Sequence, residues 1–163
     1  MDKLESINKW LAAEVSERME DANLRPHHLQ RLCDMTDGEI NRCLSGIGFP
    51  KLFSLILMAE HLECTVNDLL GYEEVEDVEV YERYTASSLY FKANQYAACL
   101  SDRMRLYMKY NNIGFHEIAD KTGFAVENVR HWFAKTHPQL PPTKKFIIIC
   151  EALGCTPTEL LGY

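Results

Sequence analysis

Apolar residues recur at three- and four-residue steps along most of this chain, which is the spacing that places them on one face of an α-helix. The longest such run extends from Thr85 to Asn111. Six residues form its apolar face: Leu89, Tyr96, Leu100, Met104, Tyr107 and Met108. No segment carries a strand signal, so the pattern predicts an all-α protein.

Helix-ending residues divide the second half of the chain into five helices. The segment "NNIG" breaks the long helix, and the short helix "FHEIADKTG" that follows ends at Gly123. The helix "VENVRHWFAK" precedes a proline-marked loop, "THPQLPP", and the helix "TKKFIIICEALG" ends at Gly154. The first half of the chain predicts the same order of elements.

Two helix starts carry a capping box, in which a threonine is followed three residues later by a glutamate. In the closing segment "TPTELLGY", Thr156 is the predicted N-cap, Pro157 takes the first helical position and Glu159 completes the box. Thr36 and Glu39 form the corresponding signal in the first half and predict the start of its third helix.

The end of the chain repeats a segment that lies 91 positions earlier. Residues 50–72 align without a gap with residues 141–163, and ten of the 23 aligned positions are identical. Self-similarity of this kind indicates a duplicated structural unit. We therefore expect two copies of one small domain, residues 1–72 and 88–163, joined by residues 73–87.

The charge is distributed unevenly between these segments. The chain has a net charge of −7. Residues 1–72 hold 7 basic and 12 acidic side chains. The linker 73–87 holds one basic and six acidic side chains, and residues 88–163 hold nine basic and six acidic side chains. The first copy and the linker are therefore acidic and the second copy is basic. An anionic partner is expected to bind the second copy.

The composition predicts a soluble, cytoplasmic protein with reduced thiols. The polar start "MDKLESINKW" does not resemble a signal peptide, and no apolar run approaches the roughly 18 residues that a membrane span requires. The six cysteines contain no C-x-x-C pair and no zinc-finger spacing, so neither a metal nor another cofactor is expected. No enzyme motif is present, and the chain is predicted not to be an enzyme.

The segment "IADKTGFAVENVRHWFAK" carries the spacing of a helix-turn-helix. Ile118 is an apolar anchor, Ala119 permits close helix approach, Gly123 suits a tight turn, Val129 is a buried branched residue, and Trp132 lies on the same helix face. This pattern resembles the phage-repressor/Cro type of helix-turn-helix, the XRE family with the λ-repressor-like fold. The resemblance covers nearly all of residues 96–163 and implies two tandem five-helix domains of that fold.

The first copy matches the family more loosely. Leu29 and Ile40 keep the anchor and the branched position, but Gln30 replaces the small alanine, Asp34 replaces the turn glycine and Cys43 replaces the aromatic. Asp37 and Glu39 on its third helix would also repel phosphate. We expect this copy to keep the fold and, rather than bind DNA, to contact the second copy, a second chain or another protein.

The resemblance implies that the third helix of the second copy lies in the major groove of DNA. The residues carried over by position as base-reading candidates are Val126, Glu127, Asn128, Arg130 and His131, with Lys135 near the following backbone. The predicted phosphate contacts are His116 and Lys121 on the second helix and Lys144 and Lys145 at the start of the fourth. Trp132 and Phe133 are predicted to be core residues, and single charges such as Arg130 have the simpler interpretation of solvated surface groups.

The function predicted on this basis is a sequence-specific DNA-binding transcriptional regulator, a repressor by family resemblance, of bacterial, phage or mobile-element type. Double-stranded DNA is then the partner, with a homodimer as a second expectation and no membrane contact. The alternative is a protein-binding adaptor or inhibitor, antitoxin-like or phage-encoded, that uses residues 1–72. A third hypothesis is that the chain is both a regulator of its own gene and a protein inhibitor, with one copy for each task.

Overall fold

The computed structural model describes residues 2–73 and 89–162. Within these ranges the chain is helical with no strand, which confirms the predicted all-α class. The helices are α1 (Lys3–Asp21), α2 (Pro26–Leu32), α3 (Asp37–Leu44), α4 (Leu52–His61), α5 (Val66–Leu70), α6 (Leu89–Asn111), α7 (Phe115–Thr122), α8 (Val126–Trp132), α9 (Thr143–Leu153) and α10 (Pro157–Leu161). The predicted linker beyond residue 73 and the predicted start of α6 before residue 89 lie outside the described residues.

The described residues fall into two compact units, which we call the first unit (residues 2–73) and the second unit (residues 89–162). In the first unit, α1 packs against α3 and α5, and α4 packs against α2 and α5. Its core contains fully buried side chains from several helices, among them Leu11, Leu29, Leu55 and Leu69. Burial of such side chains supplies the main stabilisation of a helical domain.

In the second unit, α7 packs against α8 and α9, and α10 packs against α6 and α9. The long helix α6 buries Tyr96, Leu100 and Met104 as the periodicity predicts, while Tyr107 and Met108 are half-buried. Trp132 and Phe133 belong to the core, as predicted.

Both predicted capping boxes form. Glu39 accepts a hydrogen bond of 2.8 Å from the Thr36 amide, and the Glu39 amide donates to the Thr36 hydroxyl at 3.2 Å. The same pair of bonds joins Thr156 and Glu159 at 2.6 and 3.3 Å, with Pro157 at the first helical position. Reciprocal bonds of this kind satisfy two amides that the helix itself leaves unpaired.

The predicted helix ends are confirmed at Gly123 and Gly154, whose φ values of +76° and +69° lie in the left-handed region. The departure at Asp34 does not change the turn, because Asp34 adopts a left-handed φ of +54° itself. Asparagine and aspartate tolerate this conformation better than other residues with a side chain. The first unit therefore makes the same kind of turn without glycine.

Candidate nucleic-acid interface

The helix pair α7–α8 is joined by a turn at residues 123–125. Ile118 and Ala119 on α7 and Val129 and Trp132 on α8 are buried, which are the positions that the spacing assigned to the interior. Their burial fixes the opposite side of α8 as its exposed side, since residues three and four apart share a helix face.

Thr122 stabilises the turn between the two helices. Its hydroxyl donates to the Ile118 carbonyl at 2.7 Å and accepts from the Phe124 amide at 3.4 Å. Together with the left-handed Gly123, these bonds define where α8 begins. The direction of the exposed α8 side chains is therefore set by local geometry.

The predicted base-reading residues share the exposed side of α8. Glu127, Asn128, Arg130 and His131 are exposed, whereas Val126 at the start of the helix is half-buried. These side chains can offer a guanidinium donor, an amide that both donates and accepts, and a carboxylate acceptor. Such a set covers the hydrogen-bonding patterns that base edges present in a major groove.

Arg130 and His116 meet across the two helices. The Arg130 Nη2 atom lies 3.2 Å from His116 Nε2. A guanidinium can only donate, so in this hydrogen bond His116 Nε2 is the acceptor. The sequence pattern places both residues in the site but contains no signal for this contact, because they are 14 positions apart on different helices.

The starts of α7 and α8 are not closed by side chains. The N-cap residues are Gly114 and Ala125, and neither makes a side-chain capping bond. The first amides of α7 are thus left without an N-cap side-chain partner, at the end of the helix where the dipole favours an anion. The first unit's counterpart of α8, helix α3, is closed at its start by the Thr36–Glu39 box.

The predicted phosphate-contacting lysines differ in their surroundings. Lys121, Lys135 and Lys144 are exposed. Lys145 is half-buried, and its Nζ lies 5.5 Å from the ring centroids of both Phe124 and Trp132. An ammonium group at this distance is attracted by the electron-rich ring face. Lys145 therefore helps to stabilise the turn against α9, a role that its position in the sequence does not indicate.

The helix α8 ends at Trp132, three residues before the predicted end at Lys135, so that prediction was wrong. Two side chains of α6 hold the chain where it leaves the helix. Arg105 Nε donates to the Phe133 carbonyl at 3.1 Å, and the Ser101 hydroxyl donates to the Ala134 carbonyl at 2.8 Å. These contacts between distant segments satisfy carbonyls at the end of α8 and fix its C-terminal end.

The surface of α7 and α8 is mixed in charge. Besides Lys121 and Arg130, the two helices expose the carboxylates of Glu117, Asp120 and Glu127. A uniformly basic surface, which non-specific phosphate binding favours, is thus not formed by these helices alone. These carboxylates weaken the general attraction of this surface to phosphate.

In the first unit, charged side chains on the surface of α3 make contacts within the unit. Glu39 pairs with Lys51 at 3.2 Å, and its pKa is lowered because the Thr36 amide and Lys51 stabilise the carboxylate. Arg42 packs over Gly48, with guanidinium atoms 3.3 Å from where a Cβ would stand. With Asp37 exposed at the start of α3, this surface is a poor match to phosphate.

All six cysteines are free thiols, and the described residues contain no group of three or more histidine, cysteine or acidic side chains that is placed to hold a metal ion. No helix in the described ranges combines the length and apolar character needed to cross a bilayer. Comparison with family models, curated proteins and solved structures finds no match to this chain.

Proposed function

We propose that this chain is a sequence-specific DNA-binding transcriptional regulator that acts in the cytoplasm and is built from two tandem λ-repressor-like helix-turn-helix domains. The observation that carries the proposal is the contact between Arg130 and His116 on the exposed side of the α7–α8 pair. This contact holds the Arg130 guanidinium beside α8, the helix that the family resemblance assigns to the major groove.

Each exposed side chain of α8 has a matching base edge. Arg130 can donate two hydrogen bonds to guanine, Asn128 can pair with adenine, and Glu127 can accept from cytosine, while Val126 can contact a thymine methyl group. His131 extends this surface by one position. These contacts would supply discrimination between sequences.

Phosphate contacts would fix the position of α8 in the groove. The open amides at the start of α7 can bind one phosphate, as helix N-termini commonly do. Lys121, Lys135 and Lys144 are exposed and available for others, whereas Lys145 contributes mainly through the aromatic contact described above. One small module discriminates weakly, so a second contact is needed from another chain. Occupation of a promoter would then exclude polymerase, which gives repression.

The test is a fluorescence-anisotropy titration at two salt concentrations, first against duplex DNA from upstream of the protein's own gene and then against a randomised duplex library. We expect salt-sensitive, sequence-selective binding that the Asn128→Ala, Arg130→Ala double variant loses. The matched control is Asn41→Ala with Arg42→Ala, which removes the same residue types from α3 of the first unit and should leave binding unchanged. Failure to select any duplex from the library would overturn the proposal.

A second candidate function is favoured by the acidity of the first unit. Residues 1–72 carry 12 carboxylates against 7 basic side chains, which suits a protein-binding adaptor or inhibitor that engages a basic protein surface. The same library titration separates the two functions. If no duplex is selected and neutralisation of Asp34 and Asp37 abolishes binding to a basic protein partner, the adaptor function replaces the regulator.

A further inference from the structure

The outward side of α6 carries an apolar surface that the second unit does not use. Leu106 is 50% exposed and Tyr110, one helical turn later, is 83% exposed. Their side chains lie on one face because they are four residues apart. The residues that α6 buries in the core, Tyr96, Leu100 and Met104, lie on a different side of the same helix.

The first unit shows that the fold does not require apolar residues at these positions. The turns after α1 and α6 match, because Asn23 and Asn112 both adopt left-handed φ values, of +54° and +51°. The amide of the residue after each asparagine donates a hydrogen bond to a carbonyl of the preceding helix. Leu24 donates to the Met19 carbonyl at 2.8 Å, and Ile113 donates to the Met108 carbonyl at 3.0 Å.

Counting back from that turn, the positions of Leu106, Lys109 and Tyr110 are held in the first unit by three exposed carboxylates: Glu17, Glu20 and Asp21. A solvated acidic face is thus compatible with this helix position. The leucine, lysine and tyrosine of α6 need another explanation, and a contiguous exposed apolar surface commonly marks an interaction site.

Charged residues on both sides of Leu106 indicate which partner fits. Asp102 lies one turn before Leu106 and Lys109 lies nearly one turn after it, and both are exposed. Neither forms an ion pair with any described residue. The surface is therefore negative at one end, apolar in the middle and positive at the other end.

A surface with this order of charges is complementary to itself in one orientation. If a second α6 packs antiparallel with Leu106 at the two-fold axis, Asp102 faces the partner's Lys109, and symmetry repeats the pair. Tyr110 then packs beside the partner's Asp102, where its hydroxyl can donate to the carboxylate. A parallel arrangement would instead place like charges opposite each other.

We propose that the outer face of α6, formed by Asp102, Leu106, Lys109 and Tyr110, is a two-fold interface at which a second copy of this chain binds antiparallel. A contact between two helices falls at the small end of specific interfaces, below about 1,200 Å² in total. The dimer is accordingly weak and depends on concentration. This inference does not rest on DNA binding, although a dimer would supply the second α8 helix that a two-fold operator requires.

Sedimentation velocity of the full chain over a wide concentration range, without DNA, tests the interface. We expect a reversible monomer–dimer equilibrium in the wild type. The variant Leu106→Glu with Tyr110→Asp, which takes the residues of the first unit at these positions, should weaken dimerisation by at least about tenfold. Both side chains are exposed, so the circular dichroism spectrum and melting temperature should change little. The matched control, Glu17→Ala with Asp21→Ala on α1, should dimerise as the wild type does.

A charge exchange tests the orientation. Asp102→Lys alone should weaken the dimer because it brings two cations together, and adding Lys109→Asp should restore it. A wild type that remains monomeric at all concentrations would overturn the proposal, as would a dimer that is unaffected by Leu106→Glu with Tyr110→Asp. Rescue by the exchanged pair would support the antiparallel contact, and absence of rescue would refute that orientation.

Discussion

The indole Nε1 of Trp10 donates a 3.1 Å hydrogen bond to the backbone carbonyl of Asp68, which lies 58 positions further along the chain. In the second unit, Arg103 Nε donates at 3.0 Å to the carbonyl of Glu159. Asp68 and Glu159 occupy equivalent places, as the third residues of the last helices. Each unit therefore ties its first helix to its last helix through the same carbonyl, with a different donor.

Substitution of Trp10 separates this hydrogen bond from the packing of the ring. Trp10→Phe keeps an aromatic ring on α1 but removes the donor, so we expect a loss of about 1 kcal/mol in the free energy of unfolding of the first unit. Urea denaturation followed by circular dichroism measures the change. Trp10→Ala should cost more, because it also removes the buried part of the ring, and equal losses in the two variants would contradict a role for the bond.

Gly71 provides a second test of the same contact. A Cβ at this position would lie 3.0 Å from atoms of the Trp10 ring, and its φ of +75° disfavours any other residue. Gly71→Ala should therefore destabilise the first unit by more than about 1 kcal/mol. Gly154→Ala is a suitable comparison, since Gly154 has a similar left-handed φ of +69° but no atom lies within 4 Å of its Cβ position. A melting temperature equally low for both variants would show that the Trp10 contact is unimportant.

The ionised state of Glu39 makes the first unit sensitive to acid. The Thr36 amide and Lys51 lower the pKa of Glu39 below its ordinary value of 4.5. A carboxyl whose pKa is lower in the folded state stabilises the protein above its unfolded pKa, and this stabilisation is lost as the pH falls through the folded value. Glu39→Gln keeps an oxygen that can accept from the Thr36 amide but cannot titrate. We expect the wild type to exceed this variant in urea midpoint at pH 7 and the difference to shrink below about pH 4.5. A difference that is constant with pH would contradict this role.

Local signals account for the parts of the fold that the sequence predicts correctly. Thr36, Gly123 and Thr156 act on residues within a few positions, and the helix starts and ends that they predict are observed. The apolar periodicity likewise assigns Val129 and Trp132 to the interior. These features depend on backbone geometry and burial, which short stretches of sequence encode.

Contacts between distant segments account for what the sequence does not reveal. The observed end of α8 depends on Arg105 and Ser101 of another helix. The position of the Lys145 ammonium group depends on the rings of Phe124 and Trp132. The spacing of residues within one helix carries no information about such partners. The candidate site is thus predictable as a set of positions, whereas the contacts that orient its side chains are visible only in the structure.

Burial makes most of the thiols unreactive. Burial raises the pKa of Cys33 and of Cys43 to about 12, so the reactive thiolate is scarce at neutral pH. Cys99 and Cys155 are half-buried, and we expect a thiol reagent to label these two before the four buried cysteines. Mass spectrometry of digests taken over time measures the order, with urea-unfolded protein as the control in which all six react. Labelling of Cys33 as fast as Cys99 would contradict the burial.

The same shifts predict sensitivity to alkali. Because the folded pKa of Cys33 and Cys43 lies above the ordinary value of 9.0, the stability that these neutral thiols supply is complete below pH 9 and is lost as the pH rises towards 12. Replacement of both by alanine should remove this part of the pH dependence, although the cavities lower the stability at every pH. Urea midpoints measured from pH 8 to pH 11 for the wild type and the double variant provide the comparison. Parallel curves would show that the two thiols do not titrate in this way.

His116 acts on DNA through Arg130 if the proposed function is correct. The His116 Nε2 atom lies 3.2 Å from the Arg130 guanidinium, so His116→Ala frees that side chain and should weaken selective binding by roughly five- to tenfold. If His116 acts only by holding Arg130, its removal breaks no phosphate contact and the dependence of affinity on salt should stay the same. Arg130→Ala should cost more, and the double variant His116→Ala, Arg130→Ala should bind no more weakly than Arg130→Ala alone. Anisotropy titrations of the wild type, the two single variants and the double variant form a double-mutant cycle that measures this coupling. Additive losses would mean that His116 contacts the DNA directly and that Arg130 does not depend on it.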